Sequence, residues 1–153
     1  MGKTAVFVIS VLEQLKDNTT EGVVCLCIAH TRELAHQIHL EFERFKRHME
    51  NINVGVFYGG VPIAKDRETL KNPPQIVIGT PGRILKLVKD GDLNLKNLKH
   101  FVLDECDRCL ASLGMYYFLY IFIYFLFIFF LYFLLKKRYE KRCSIYFPKN
   151  TSL

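Results

Sequence analysis

Along residues 5–103 the apolar positions fall into two rhythms that take turns. Short apolar runs at 23–29, 54–58, 75–79 and 99–103 have the length and sharp bounds of strands, the first of them continuous enough to be buried on both faces. Between them, apolar residues recur at the three-and-four spacing of a helix with one buried stripe. That spacing predicts helices over 5–15, 31–48, 62–70 and 81–88, with Leu34, Ile38, Phe42 and Phe45 on the stripe of the second. Pro81 suits a first helical turn, where a missing N–H costs nothing. Residues 17–22, 72–74 and 90–92 are rich in Asn, Asp, Gly and Pro and break the pattern into loops. Strand alternating with helix, several times over, implies right-handed crossovers and a parallel sheet covered on both faces, an α/β architecture.

Composition changes this picture only beyond residue 114. Residues 115–135 are 21 consecutive positions of Met, Tyr, Phe, Leu and Ile, and the reading is a C-terminal apolar helix long enough to span a membrane. Lys136, Lys137, Arg138, Lys141 and Arg142 follow, which the positive-inside rule would place in the cytoplasm. Residues 136–153 hold six Lys/Arg and one Glu, so +5 of the formal charge of +6 belongs to this tail. The basic balance therefore says little about nucleic acid. Phe, Tyr, Ile and Leu make up almost all of the run, and these, with the lysines beyond, have codons built from A and T alone, which suggests translated intron or a shifted frame from about residue 111. A membrane-anchored protein is the alternative.

Five cysteines are an odd number, and no secretory signal accompanies them. Cys25 and Cys27 share one face of an apolar run, where cysteine acts as a small hydrophobe. Cys106 and Cys109 form a C-x-x-C pair, but no second pair stands at zinc-site spacing. Reduced intracellular thiols are the expectation. His36 and His39, three apart on a helix without a third ligand, read as surface or packing residues.

The chemistry concentrates at two places. His100, Phe101, Val102 and Leu103 lead directly into Asp104 and Glu105, with Asp107 two positions on. The run reads as a short buried strand whose acids emerge at its carboxyl end, where open α/β sheets bind ligands. One carboxylate there suits Mg²⁺ and its neighbour suits polarising a water; the plainer reading is an exposed acidic turn. The chain opens on Met1, Gly2, Lys3 and Thr4 and runs into a helix. Gly-Lys-Thr at a helix start is the end of a P-loop, in which backbone N–H groups and lysine hold phosphate and the hydroxyl binds Mg²⁺. The two together indicate a nucleotide-binding domain lacking its front end.

These residues carry a resemblance. Gly2, Lys3 and Thr4, then Thr31, Arg32, Glu33, Leu34 and Ala35, then Gly59 and Gly60, then Thr80, Pro81, Gly82 and Arg83, and finally Asp104, Glu105, Cys106 and Asp107 stand in the order and spacing of DEAD-box RNA helicases. Cys106 in place of alanine and His30 before Thr31 resemble the DECD subgroup, the helicases of mRNA splicing and export. The likeness covers residues 1–110 and implies an incomplete first RecA-like domain, the P-loop NTPase fold, with residues 111–153 outside it.

The resemblance implies ATP and Mg²⁺ as cofactors, RNA bound through its backbone, splicing and export proteins as partners, and the nucleus as location. Gly2, Lys3 and Thr4 would bind the phosphates, with Lys3 on the outer ones and Thr4 on Mg²⁺. Asp104 would hold the metal through water, Glu105 would orient the attacking water, and Asp107 would couple hydrolysis to RNA. Thr31, Arg32, Gly60, Thr80 and Arg83 would line the RNA path. The family's adenine-recognising segment, the front of the P-loop and its strand, the Ser-Ala-Thr motif and the second RecA-like domain have no counterpart in these 153 residues. The expectation is a polypeptide with negligible ATPase, no unwinding, and an apolar sheet edge prone to aggregate.

Overall fold

The computed structural model describes residues 3–16, 20–49 and 51–105, with Lys3 as backbone only. Gly2, the Lys3 side chain, Asp107, Cys106, Cys109, Cys143 and the expected helix at 115–135 lie outside the described residues. Among the described residues no helix is long and apolar enough to cross a membrane.

The chain runs α1 (Lys3–Leu15), β1 (Cys25–Ile28), α2 (Arg32–Phe45), β2 (Val54–Phe57), α3 (Ile63–Thr69), β3 (Ile76–Gly79), α4 (Pro81–Lys89) and β4 (His100–Leu103). The four strands form one sheet in the order β2-β3-β1-β4, every neighbouring pair parallel. Each helix and strand expected between residues 5 and 103 exists; α1 starts two residues earlier and α4 ends one later, and the other elements are shorter than expected by up to three residues at an end. α2 stops at Phe45 rather than 48: the Lys46 N–H makes the last helical bond, to the Phe42 carbonyl, then Lys46 leaves helical backbone at ψ 4 and the Met49 N–H closes a tighter turn on the Lys46 carbonyl.

Alternation along the strands divides the apolar residues between two cores. Cys25, Cys27, Ile76 and Ile78 face one side, where Val8, Val11, Leu12 and Leu15 of α1 and Ala35, Ile38 and Phe42 of α2 cover them. Leu26, Ile28 and Val77 face the other, under Ile84 and Leu87 of α4 with Leu70, Leu93 and Leu95. β1 and β3 are buried at every position, as continuous apolar runs in the middle of a parallel sheet must be. Cys25 and Cys27 lie side by side in the first core, their sulfurs 3.8 Å apart. That contact and burial raise the Cys27 thiol well above its usual range and leave it inert.

Two expectations need correction. β4 is half-buried at all four positions, not buried, because it stands last in the strand order and has only β1 beside it among the described residues. Phe45 leaves the buried stripe of α2 at the helix's last turn; it is exposed, with the Arg44 guanidinium 5.3 Å from its ring centre.

Candidate functional site

The sheet registers decide what stands together. Ile28 is level with Gly79 and with Leu103, and Gly79 is level with Phe57. The four strands thus end on one line, and the residues that follow emerge along a single carboxyl edge. Three backbone bonds fasten these exits together beyond the strands themselves. The Thr80 N–H donates to the Phe57 carbonyl at 3.0 Å, the Ala29 N–H to Gly79 at 3.0 Å, and the Asp104 N–H to Ile28 at 3.1 Å. Tyr58 to Gly60, Thr80, His30 to Arg32, and Asp104 with Glu105 therefore form one row of neighbours.

The cationic half of the row lies at the exits of β2, β3 and β1. Thr31 caps α2, its Oγ1 accepting from the Leu34 N–H at 3.1 Å, and Arg32 is the first helical residue. The Arg32 guanidinium lies across Gly60: a Cβ there would come within 2.5 Å of Nη1, and Gly60 has φ +91, a second reason for glycine. Thr80 opens α4 with Pro81 at the first helical position. Two helix N-termini, each presenting the positive end of its dipole, so face one open groove. Part of it, about 420 Å³, is lined by His30, Thr31, Arg32, Glu33, Gly59 and Thr80. A second part, about 460 Å³, shares Gly59 and Thr80 and adds Val61, Ile63, Gly82, Arg83 and Lys86.

Arg83 reaches this groove with its charge already engaged. Its Nη1 donates to Asp66 Oδ2 at 3.0 Å and its Nη2 donates to the Val61 carbonyl. Both side chains of the pair are nearly buried, at 9% and 8% exposure. Burial pushes the Asp66 carboxyl above its usual range, with the Arg83 charge pulling the other way. Arg83 thereby ties α4 to α3 and holds the loop that follows Gly60. Exposed Lys86, one turn further along α4, is a cation that lines the groove. No spacing rule singles out Asp66 or Lys86, since an acid in one helix and a base in the next leave no local pattern.

The acidic half is the exit of β4. Asp104 is half-buried and its Oδ1 accepts from the Glu105 N–H at 3.0 Å. Glu105 sits in the left-handed region at φ 49, uncommon for a residue with a side chain. Its Oε2 lies 3.3 Å from Nδ1 of His30. His30 was noted in the sequence only as part of a pattern; the structure gives it a contact. Thr4 lies half-buried in the first turn of α1.

A parallel α/β sheet with anion-attracting helix ends and a carboxylate pair on one carboxyl edge defines a RecA-like domain. The chain belongs to the DEAD/DEAH box helicase family, whose model matches residues 1–119. It is 58% identical over 118 residues to ATP-dependent RNA helicase WM6 of Drosophila melanogaster, a match covering 75% of this chain and 27% of that protein. DEAD-box ATP-dependent RNA helicase 56 of Oryza sativa subsp. japonica is 57% identical over 116 residues, covering 75% of this chain and 27% of that one. The crystal structure of a DEAD box protein from the hyperthermophile Methanococcus jannaschii superposes with a TM-score of 0.64 at 43% identity, covering 72% of this chain and 29% of the other. The chain thus spans about a quarter of the length of the curated relatives it matches.

Proposed function

We propose that residues 1–110 are the nucleotide-binding part of an ATP-dependent RNA helicase, of the DECD subgroup that serves mRNA splicing and export in the nucleus. The supporting observation is the placement of charge along one edge: helix N-termini, Arg32 and Lys86, with Glu33 among them, on one side, and Asp104 with Glu105 on the other. A sugar–phosphate backbone suits the first half, because arginine and backbone N–H groups grip phosphates without reading bases. Thr31, Arg32, Gly60 and Thr80 touch it directly in this reading, and Arg83 serves it by fixing the loop after Gly60.

ATP and Mg²⁺ suit the second half. The Asp104 carboxylate and the Thr4 hydroxyl are hard oxygen donors. That small donor set fits magnesium, which keeps most of its waters and leans on the substrate's phosphates. When bound, the ion neutralises charge on the transferring phosphoryl group. Gly2 and Lys3 would hold the phosphates, Asp104 would hold the metal, Glu105 would orient the attacking water, and Asp107 would couple this to RNA. For residues 1–153 alone, ATP turnover is negligible and unwinding absent, since phosphoryl transfer depends on all its charge-stabilising parts at once.

Titration of residues 1–153 with a fluorescent ATP analogue and Mg²⁺, and separately with single-stranded RNA, tests the reading. Lys3→Ala and Asp104→Asn weaken nucleotide binding about tenfold or more, and leave RNA binding intact. Nucleotide and RNA affinities indifferent to Lys3→Ala and Arg32→Ala would refute it. ATP turnover at a rate normal for whole helicases would refute the proposal of inactivity.

A further inference from the structure

We propose that Lys86 grips a phosphate of single-stranded RNA, separate from the phosphate held at Arg32. The inference rests on the reading of the groove as the RNA path and adds a contact to it. Three observations carry it.

The first is where α4 sends the side chain. Lys86 is exposed, while Ile84, Leu85 and Leu87 around it are buried. It stands four positions after Gly82, so the two share a helix face, and helical side chains lean toward the N-terminus. The lysine thus leans back over Gly82 toward the start of α4, and both line the lobe of about 460 Å³. A Cβ on Gly82 would meet nothing within 4 Å, which leaves an anion clearance to approach the backbone there. Thr80 makes no side-chain cap bond to α4. The positive end of the helix dipole and the ammonium therefore act on the same place.

The second is the balance of charge. Arg32, Arg83 and Lys86 are the Lys/Arg side chains lining the two lobes. Arg32 shares its lobe with Glu33, and Arg83 lies 3.0 Å from Asp66. Lys86 has no ion pair among the described residues, and no carboxylate lines its lobe. Asp90, the acid one turn further along the chain, is held by Arg67 at 3.2 Å. Among the described residues that line the groove, the uncompensated fixed charge is that of Lys86.

The third is the company Lys86 keeps. Half-buried Val61 and Ile63 supply an apolar flank to the same lobe, with Ile63 packed on the second core. An apolar flank beside a lysine suits a sugar–phosphate strand, since ribose lies on the one and phosphate meets the other. A lysine is a compact point charge on a flexible stem, so it holds phosphate without reading a base. The two lobes share Gly59 and Thr80, and a strand held at Arg32 continues to Lys86 within one groove.

The test is fluorescence anisotropy of residues 1–153 with single-stranded RNA, between about 0.05 and 0.2 M salt. Lys86→Gln removes the charge and keeps a good helix former. It is expected to reduce the slope of log affinity against log salt by about 0.7. Counted from about 1 M, where the counterion contribution vanishes, binding weakens about eightfold at the lower salt and about threefold at the higher. Lys86→Arg keeps the wild-type slope, and neither variant changes the melting temperature or nucleotide affinity. Lys86→Gln combined with Arg32→Ala reduces the slope by about 1.4, because two phosphates are released. A Lys86→Gln slope equal to wild type, an Lys86→Arg slope equal to that of Lys86→Gln, or a double variant no shallower than Arg32→Ala overturns the proposal. Polyglutamate that displaces the RNA and is weakened equally by Lys86→Gln overturns it in favour of an acidic peptide. RNA affinity indifferent to Arg32→Ala and Lys86→Gln alike removes the reading of the groove together with the proposal. A response to Arg32→Ala alone removes only the contact assigned to Lys86.

Discussion

Replacing Arg83 by alanine is the most informative single perturbation, because it separates a buried charge from its partner. The wild-type pair is 9% and 8% exposed, and Arg83 also serves the Val61 carbonyl. Breaking a pair of this burial costs about 3–5 kcal/mol. The stranded carboxylate can escape by taking up a proton, which caps the charge penalty at ~1.4 kcal/mol per pH unit above its unfolded value near 3.9. That ceiling is about 5 kcal/mol at about pH 7.5 and about 1.5 kcal/mol at about pH 5. Asp66 already has a raised carboxyl in the folded chain, with burial the larger cause and Arg83 and Lys65 opposing it. An acid with a raised folded value contributes its full stability below the unfolded value and loses it as pH climbs through the folded one. Removing Arg83 raises the folded value further, so the variant weakens against wild type as pH rises from about 4 to 7.5.

The assay is urea unfolding of residues 1–153 followed by circular dichroism at the two pH values. Arg83→Ala is expected to cost about 2 kcal/mol at the lower pH and about 3–5 kcal/mol at the higher. In an Asp66→Asn background the pH dependence disappears, and the double variant is at least about 1 kcal/mol more stable at the higher pH than additivity requires. An Arg83→Ala penalty equal at both pH values, or a double variant that is simply additive, would refute the reasoning.

Arg32→Ala lowers affinity for single-stranded RNA alike across sequences and reduces the slope of log affinity against log salt by about 0.7, measured by anisotropy at several salt concentrations. Gly60→Ala, whose new methyl would meet the Arg32 guanidinium at a backbone of φ +91, costs roughly 1 kcal/mol or more in urea unfolding. It also weakens RNA binding, whereas Gly59→Ala, with 3.9 Å of clearance, does less of both. Thr31→Ala loses the cap of α2 at about 1 kcal/mol, and Thr31→Ser retains it, as thermal melts will show.

What the sequence could reveal depended on whether the cause was local. β1 and β3 were legible because strands buried on both faces need apolar residues throughout, and their runs have nothing else. α2 was legible from Ile38 and Phe42, but Phe45 has the same spacing and stays exposed at the helix's last residue. β4 reads like β1 in its apolar content, and only the strand order makes it half-buried. At the site, Thr31, Gly60 and Thr80 were legible only through the order and spacing of the motifs that carry the family resemblance. The pairing of Arg83 with Asp66 and the approach of His30 to Glu105 join segments 17 residues apart or more, and only tertiary structure creates them.

The strand order also has a consequence for synthesis. β1 is the second of the described elements to leave the ribosome, yet its partner on one side, β4, is the last of them. About 75 residues separate them, so at roughly 5–20 residues per second one flank of the most apolar strand waits about 4–15 s for its neighbour. A nascent chain with Cys25, Leu26, Cys27 and Ile28 waiting in this way is a natural client for a chaperone that shelters extended apolar segments. Slowing translation between residues 29 and 99 should lower the yield of native protein more than slowing it afterwards.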